Sequence, residues 1–275
     1  GDTYANRMPD PVLQQVEHFN NPGVTANDAF KPVTRYFDRI TRPEQILQTF
    51  PQAIQVMLDP ADCGPACISL CQDIQGETFD YPEDFFNEKV HNIRRPRPDD
   101  FQIKEAVIKI KNSKNPIIIS GGGVFYSDAM DDLSNFAIKH NIPVTQTVMG
   151  YSTMKRDHSH FVGPIGGLGG KAANNLAKET DLAICIGTKL ADFTTGSWAN
   201  FENPQFKLVS INIARHDANK HLAEAVIGDA KVSLIELSNA LGDWRSSDNW
   251  HKKSQDELKS WNEYVDKESG PTNQD

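Results

Sequence analysis

NPIIISGGGVFYSDAMDDL, residues 115–133, decides how the rest of the chain is read. Pro116 opens an apolar run, Ile117 to Ile119, of the kind carried by a strand buried on both faces. Gly121, Gly122 and Gly123 follow as a turn that residues with a Cβ tolerate poorly, and a helix comes next. Ser127 is the expected cap of that helix, and Asp128, Asp131 and Asp132 crowd its first two turns. Carboxylates there satisfy the helix dipole themselves and would repel a phosphate.

The alternation extends outward on both sides. Before it lies the helical pattern DFQIKEAVIKIKNS. After it come strand IPVTQTV, a glycine-rich loop, helix KAANNLAKE, strand DLAICIG, strand KLVSINI and helix AKVSLIELSNAL. Apolar strands alternating with amphipathic helices predict an α/β, doubly wound parallel sheet over residues 100–245. Residues 81–99, charged and proline-bearing, read as a linker, and 246–275 as a polar tail, helical to about Glu268, that leads away from the domain. Residues 1–80 offer a candidate helix VLQQVEHF, a helix from Arg42 to Leu58 interrupted at Pro51, and one convincing strand, GPACISL. So few elements bury too little apolar surface to stand alone, and the opening GDTYANR follows no strand, so the chain reads as cut from a larger protein.

Composition narrows the function classes. With 37 acidic against 28 basic residues and a net charge of −9, the chain is not expected to bind nucleic acid. No apolar run approaches the roughly 18 residues of a membrane span and no signal-peptide pattern opens the chain, so a cytoplasmic protein without a membrane partner is expected. Cys63, Cys67 and Cys71 recur every four residues, but Gly64 and Pro65 break the helix that would align them, and they read as small buried residues, not ligands. His158 and His160 in RDHSHF read as a solvated pair on a polar loop, and no metal site is expected.

The glycine loops fail the standard phosphate-site tests. A dinucleotide fingerprint needs its third glycine where Tyr126 stands and an acidic residue where Thr147 ends the next strand. GPIGGLGGKAANN, residues 163–175, lacks the first Walker glycine at Ile165 and the hydroxyl at Ala172. Neither a metalloprotease HExxH nor a GxSxG nucleophile turn occurs.

In order and spacing, SGGGV, IPVTQTVMG, GPIGGLGG, DLAICIGTKLADFTTG and VSINIARHDANKH resemble the central domain of the acetolactate synthase-like thiamine diphosphate enzymes, and residues 27–75 resemble the last part of their pyrimidine-binding domain. Within that superfamily, GDTYANRMPDPVLQQVEHF and CGPACISLCQDIQGE are similar to the trihydroxycyclohexanedione hydrolases of myo-inositol breakdown. The resemblance implies a parent enzyme that uses thiamine diphosphate and Mg2+ to open a small cyclic 1,2-diketone to 5-deoxyglucuronate, and that is a dimer or tetramer of identical chains. It places the activating glutamate upstream of Gly1 and the diphosphate motif beyond Asp275, so that catalytic residues stay unknown here and the chain alone is expected to be inactive. A carboligase or decarboxylase of the acetolactate synthase or glyoxylate carboligase type, and a non-catalytic nucleotide-binding module, stay open as alternatives.

Relatives that bind FAD or ADP line the site with loops matched here by Gly121, Gly122, Gly123, Thr147, Met149, Gly166, Gly167, Gly169, Gly187, Thr188, Asp192 and Asn212. Two departures weigh against a nucleotide: Asn212 and Ala214 replace the acidic residues after the fourth strand, and Phe193 replaces an arginine. The expectation is a vestigial nucleotide fold without FAD, ADP or thiamine diphosphate in this chain.

Overall fold

The computed structural model describes residues 1–8, 18 and 20–270, and the chain divides into two units, Gly1–Arg94 and Arg95–Asp275. Apart from His18, the helix expected over VLQQVEHF lies outside the described residues, as does the end of the tail at 271–275.

The first unit pairs two parallel strands, β1 (Tyr36–Ile40) and β2 (Ala66–Leu70), beside helix α1 (Ile46–Leu58). Sequence reading misses β1 because charged Asp38 and Arg39 sit mid-strand. Arg39 is half-buried and partnered, its guanidinium reaching Asp2 and Asp28 at 2.6 Å each. Burial pushes the Asp2 carboxyl up, but hydrogen bonds from Arg39 and Ser69 hold it below the usual carboxylate range. The expected break at Pro51 does not occur: α1 runs through it, without the backbone bond that the missing N–H would have made. The cysteines share no environment. Cys71 is buried and its thiol is pushed up to about 11, first by burial and then by Asp2 and Asp73, whereas Cys63 is exposed and bonds the Met57 carbonyl.

The second unit is the predicted doubly wound domain. Its helices and strands are, in order, α2 (Asp100–Lys111), β3 (Pro116–Ser120), α3 (Gly122–Tyr126), α4 (Met130–His140), β4 (Val144–Gln146), β5 (Phe161–Pro164), α5 (Lys171–Glu179), β6 (Leu182–Ile186), α6 (Asp192–Thr195), β7 (Lys207–Asn212), α7 (Arg215–Ala218), β8 (Glu224–Ile227), α8 (Ala230–Leu241) and α9 (Asp248–Glu268). The six strands are all parallel in the order β5-β4-β3-β6-β7-β8. Period-two alternation splits the core into two layers. Ile118, Ile184 and Val209 pack toward α2, α4 and α8 on one face, and Ile117, Ala183 and Cys185 pack toward α5 and α9 on the other. Within α9, buried Trp250 donates its indole N–H to the Pro116 carbonyl at 2.8 Å, tying the helix to the start of β3.

Three local expectations are corrected. The helix after the glycines starts at Gly122, not at Ser127; Ser127 ends α3, Asp128 turns left-handed at φ 53°, and α4 begins at Met130. Strand β5 is missed because FVGP carries Gly and Pro, residues that an edge strand with a register shift against β4 accommodates. His160 is not solvated: its ring is buried, stacked 4.2 Å from His251 and bonded to Asn141 at 3.2 Å, while His158 reaches Ser134 at 2.8 Å. Burial, reinforced by His251 and His158, pulls His160 down to about 4.

Candidate functional site

In a doubly wound sheet the crevice for ligands opens at the carboxyl edge where strand order reverses. Here that point lies between β3 and β6, so the Gly121–Gly123 and Gly187–Thr188 loops face each other. The Gly121 N–H donates to the Ile186 carbonyl at 2.8 Å, and the Gly123 N–H donates to the Gly187 carbonyl at 2.9 Å. A Cβ on Gly121 would come within 2.4 Å of the Gly187 oxygen, and one on Gly123 within 2.6 Å of the Gly187 Cα. Gly187 itself holds φ +60°. The glycines are needed because two protein backbones touch there.

The neighbouring loops repeat the pattern. Thr147 bonds back to the Ser120 carbonyl through its N–H at 3.0 Å, and its hydroxyl accepts the Gly150 N–H at 3.0 Å. Gly166, at φ +103°, would place a Cβ 1.9 Å from the Phe193 oxygen, and Gly167 donates to that oxygen at 2.8 Å. The Gly169 N–H closes onto Gly166 at 2.9 Å. Asn174 then clamps Gly166 from α5, accepting its N–H at 2.9 Å and donating to its carbonyl at 3.0 Å.

The side chains expected to read a ribose or phosphate are turned to the same task. Buried Asn212 donates to the Thr188 carbonyl at 3.1 Å and accepts the Ala214 N–H at 2.9 Å. The Thr188 hydroxyl accepts the Leu190 N–H at 3.2 Å, and Asp192 accepts the Ser197 hydroxyl at 2.8 Å. Met149, Leu168 and Phe193 present exposed apolar side chains on these loops. Among the described residues no group of three His, Cys, Asp or Glu side chains is placed to hold a metal, and no helix is long and apolar enough to cross a membrane.

A six-stranded, all-parallel doubly wound sheet with glycine turns at its reversal point is a nucleotide-fold domain in class. Residues 103–237 match the family described as thiamine pyrophosphate enzyme, central domain. Over 267 residues it is 46% identical to the 3D-(3,5/4)-trihydroxycyclohexane-1,2-dione hydrolase of Clostridium perfringens strain 13, covering 96% of this chain and 41% of that protein. Proteins of the same name from Clostridium botulinum strain Alaska E43 (46% identical, 94% of this chain, 40% of the relative) and Geobacillus thermodenitrificans (40% identical, 97% and 41%) are similar over nearly the same span. The chain thus spans about two-fifths of the length of these relatives.

Proposed function

We propose that the protein containing this chain is a thiamine diphosphate- and Mg2+-dependent hydrolase that opens trihydroxycyclohexanedione, a cyclic 1,2-diketone, to 5-deoxyglucuronate in cytoplasmic myo-inositol degradation. The observation that carries this reading is the 46% identity, sustained over 96% of the chain, to a relative bearing that hydrolase's name. In this reading residues 1–80 end a pyrimidine-binding domain, 81–99 cross over, 100–245 form the central domain, and 246–275 lead toward a diphosphate-binding domain after α9 has packed against the central domain. The whole protein is then a homo-dimer or tetramer.

The role proposed for the central domain is structural. The adenine nucleotide of flavin-binding relatives fits these residues poorly: the loop glycines are filled by neighbouring backbone, both functions of the Asn212 amide are engaged, and Phe193 supplies no cation. Thiamine diphosphate, bound elsewhere in the whole protein, supplies the electron sink for C–C cleavage. On these loops the Ser197 hydroxyl meets the Asp192 carboxylate, but both are exposed and no third group among the described residues orients them, so residues 1–275 alone are expected to show no turnover.

The test is a chimera in which this chain replaces the matching residues of the Clostridium perfringens relative. Ring-opening turnover within about tenfold of the parent supports the reading. A folded, thiamine diphosphate-binding chimera without turnover contradicts it.

A further inference from the structure

The opposite, amino edge of the same sheet carries two adjoining cavities that share Lys109 and Lys207. One, of about 410 Å³, is walled by Trp198, Phe206, His221 and Leu222; the other, of about 530 Å³, mixes apolar Ile108 and Leu182 with polar Asn112, Ser113, Asp181 and Gln205. Both fall in the size range of small-molecule sites.

The first wall is aromatic and built from distant parts of the chain. Trp198 meets His221 edge-on at 4.6 Å and Phe201 at 5.7 Å, and Phe201 stacks on Phe206 at 4.4 Å. Ser197, Trp198, His221 and Leu222 all hold positive φ, at 54°, 67°, 61° and 57°. Bulky residues adopt that conformation rarely, and where packing enforces it the site is often functional. Leu222 is fully exposed and Trp198 half-buried, so a ligand seated there would remove apolar surface from water.

Two lysines, Lys109 and Lys207, and two carboxylates, Glu224 and Asp181, stand at or beside the mouth, and they differ in their partners. Lys109 faces Glu224 at 3.4 Å. The Asp181 carboxylate is taken up by the backbone N–H groups of Lys114 and Asn115 at 2.8 and 2.9 Å. Lys207, exposed at the start of β7, has no carboxylate within 4.0 Å among the described residues.

We propose that this amino-edge cavity binds a small aromatic monocarboxylate, its ring against Trp198 and Phe206 and its carboxylate on Lys207. The lysine selects the charge, and the wall selects the ring.

Isothermal titration of the full chain with 2-naphthoate tests this, with 2-naphthol and acetate as comparison probes. A dissociation constant on the order of 100 µM is expected for 2-naphthoate. Lys207→Gln, at an exposed position, should weaken 2-naphthoate about tenfold and leave 2-naphthol unchanged, whereas Trp198→Phe should weaken both. Absence of 2-naphthoate binding below millimolar concentration would overturn the proposal. So would equal affinity for acetate, or an affinity unchanged by Lys207→Gln in a variant whose circular dichroism matches the parent.

Discussion

The two edges of one sheet have opposite characters. At the carboxyl edge, loops from β3, β4, β5 and β6 close on one another through backbone contacts that only glycine permits at Gly121, Gly123, Gly166 and Gly187. At the amino edge, non-glycine residues hold left-handed backbone around an aromatic cavity, with Lys207, which meets no carboxylate among the described residues, at its mouth. A glycine-rich loop is therefore no sign of a ligand by itself. The partner that comes close can be another loop, and only the three-dimensional neighbour tells which.

The largest expected effect breaks the closed edge. Gly187→Ala combines a positive φ with a Cβ 2.6 Å from the Gly123 Cα, and it should cost about 3–5 kcal/mol. All four tryptophans lie at 198, 244, 250 and 261, so fluorescence-detected denaturation reports on the second unit alone. A cost below about 1 kcal/mol would mean that the loops are not locked.

Acidification comes next. His160 titrates near 6.5 when unfolded and is pulled to about 4 in the fold, first by burial and then by the His251 and His158 charges; Arg245 adds to this, and Asp248 faces His251. Between those values the unfolded chain binds more protons, so stability is complete above pH 6.5 and is lost as pH falls toward 4, by about 3 kcal/mol at most. His160→Gln should make the denaturation midpoint fall less steeply across that window, the remaining slope belonging to His140, His158 and His251, which burial also holds below their ordinary value. An equally steep profile in the variant would assign the effect to other groups.

Smaller effects sharpen the contrast. Trp250→Phe leaves the Pro116 carbonyl without its indole donor and should cost about 1–2 kcal/mol in the same unfolding assay. Gly163 also has positive φ, at +109°, but a Cβ there meets nothing within 4 Å. Gly163→Ala should cost only about 1 kcal/mol, which separates backbone strain from the loop-on-loop collision at Gly187.

The central strands were legible because Ile117–Ile119 and LAICI are continuous apolar runs and LVSIN keeps Leu208, Val209 and Ile211 apolar, the pattern of strands buried on both faces. Strands β1, β5 and β8 were not, since each carries a charge, a Gly or a Pro whose tolerance depends on an ion pair or an edge position. Departures at Asn212, Ala214 and Phe193 could be seen in the sequence. The engagement of Asn212 with Thr188, and of Gly121 with Gly187, could not, because each partner comes from another strand. Trp198 and His221 met the same barrier: no spacing rule brings them together, and only the crossover from β6 to β7 and on to β8 does.

Isothermal titration of the 275-residue chain with ADP, FAD and thiamine diphosphate in the presence of Mg2+ tests the closed carboxyl edge most directly. No saturable heat for any of the three is predicted. Saturable binding of ADP or FAD, abolished by Asn212→Ala, would show that the glycine loops hold a nucleotide and would contradict the account.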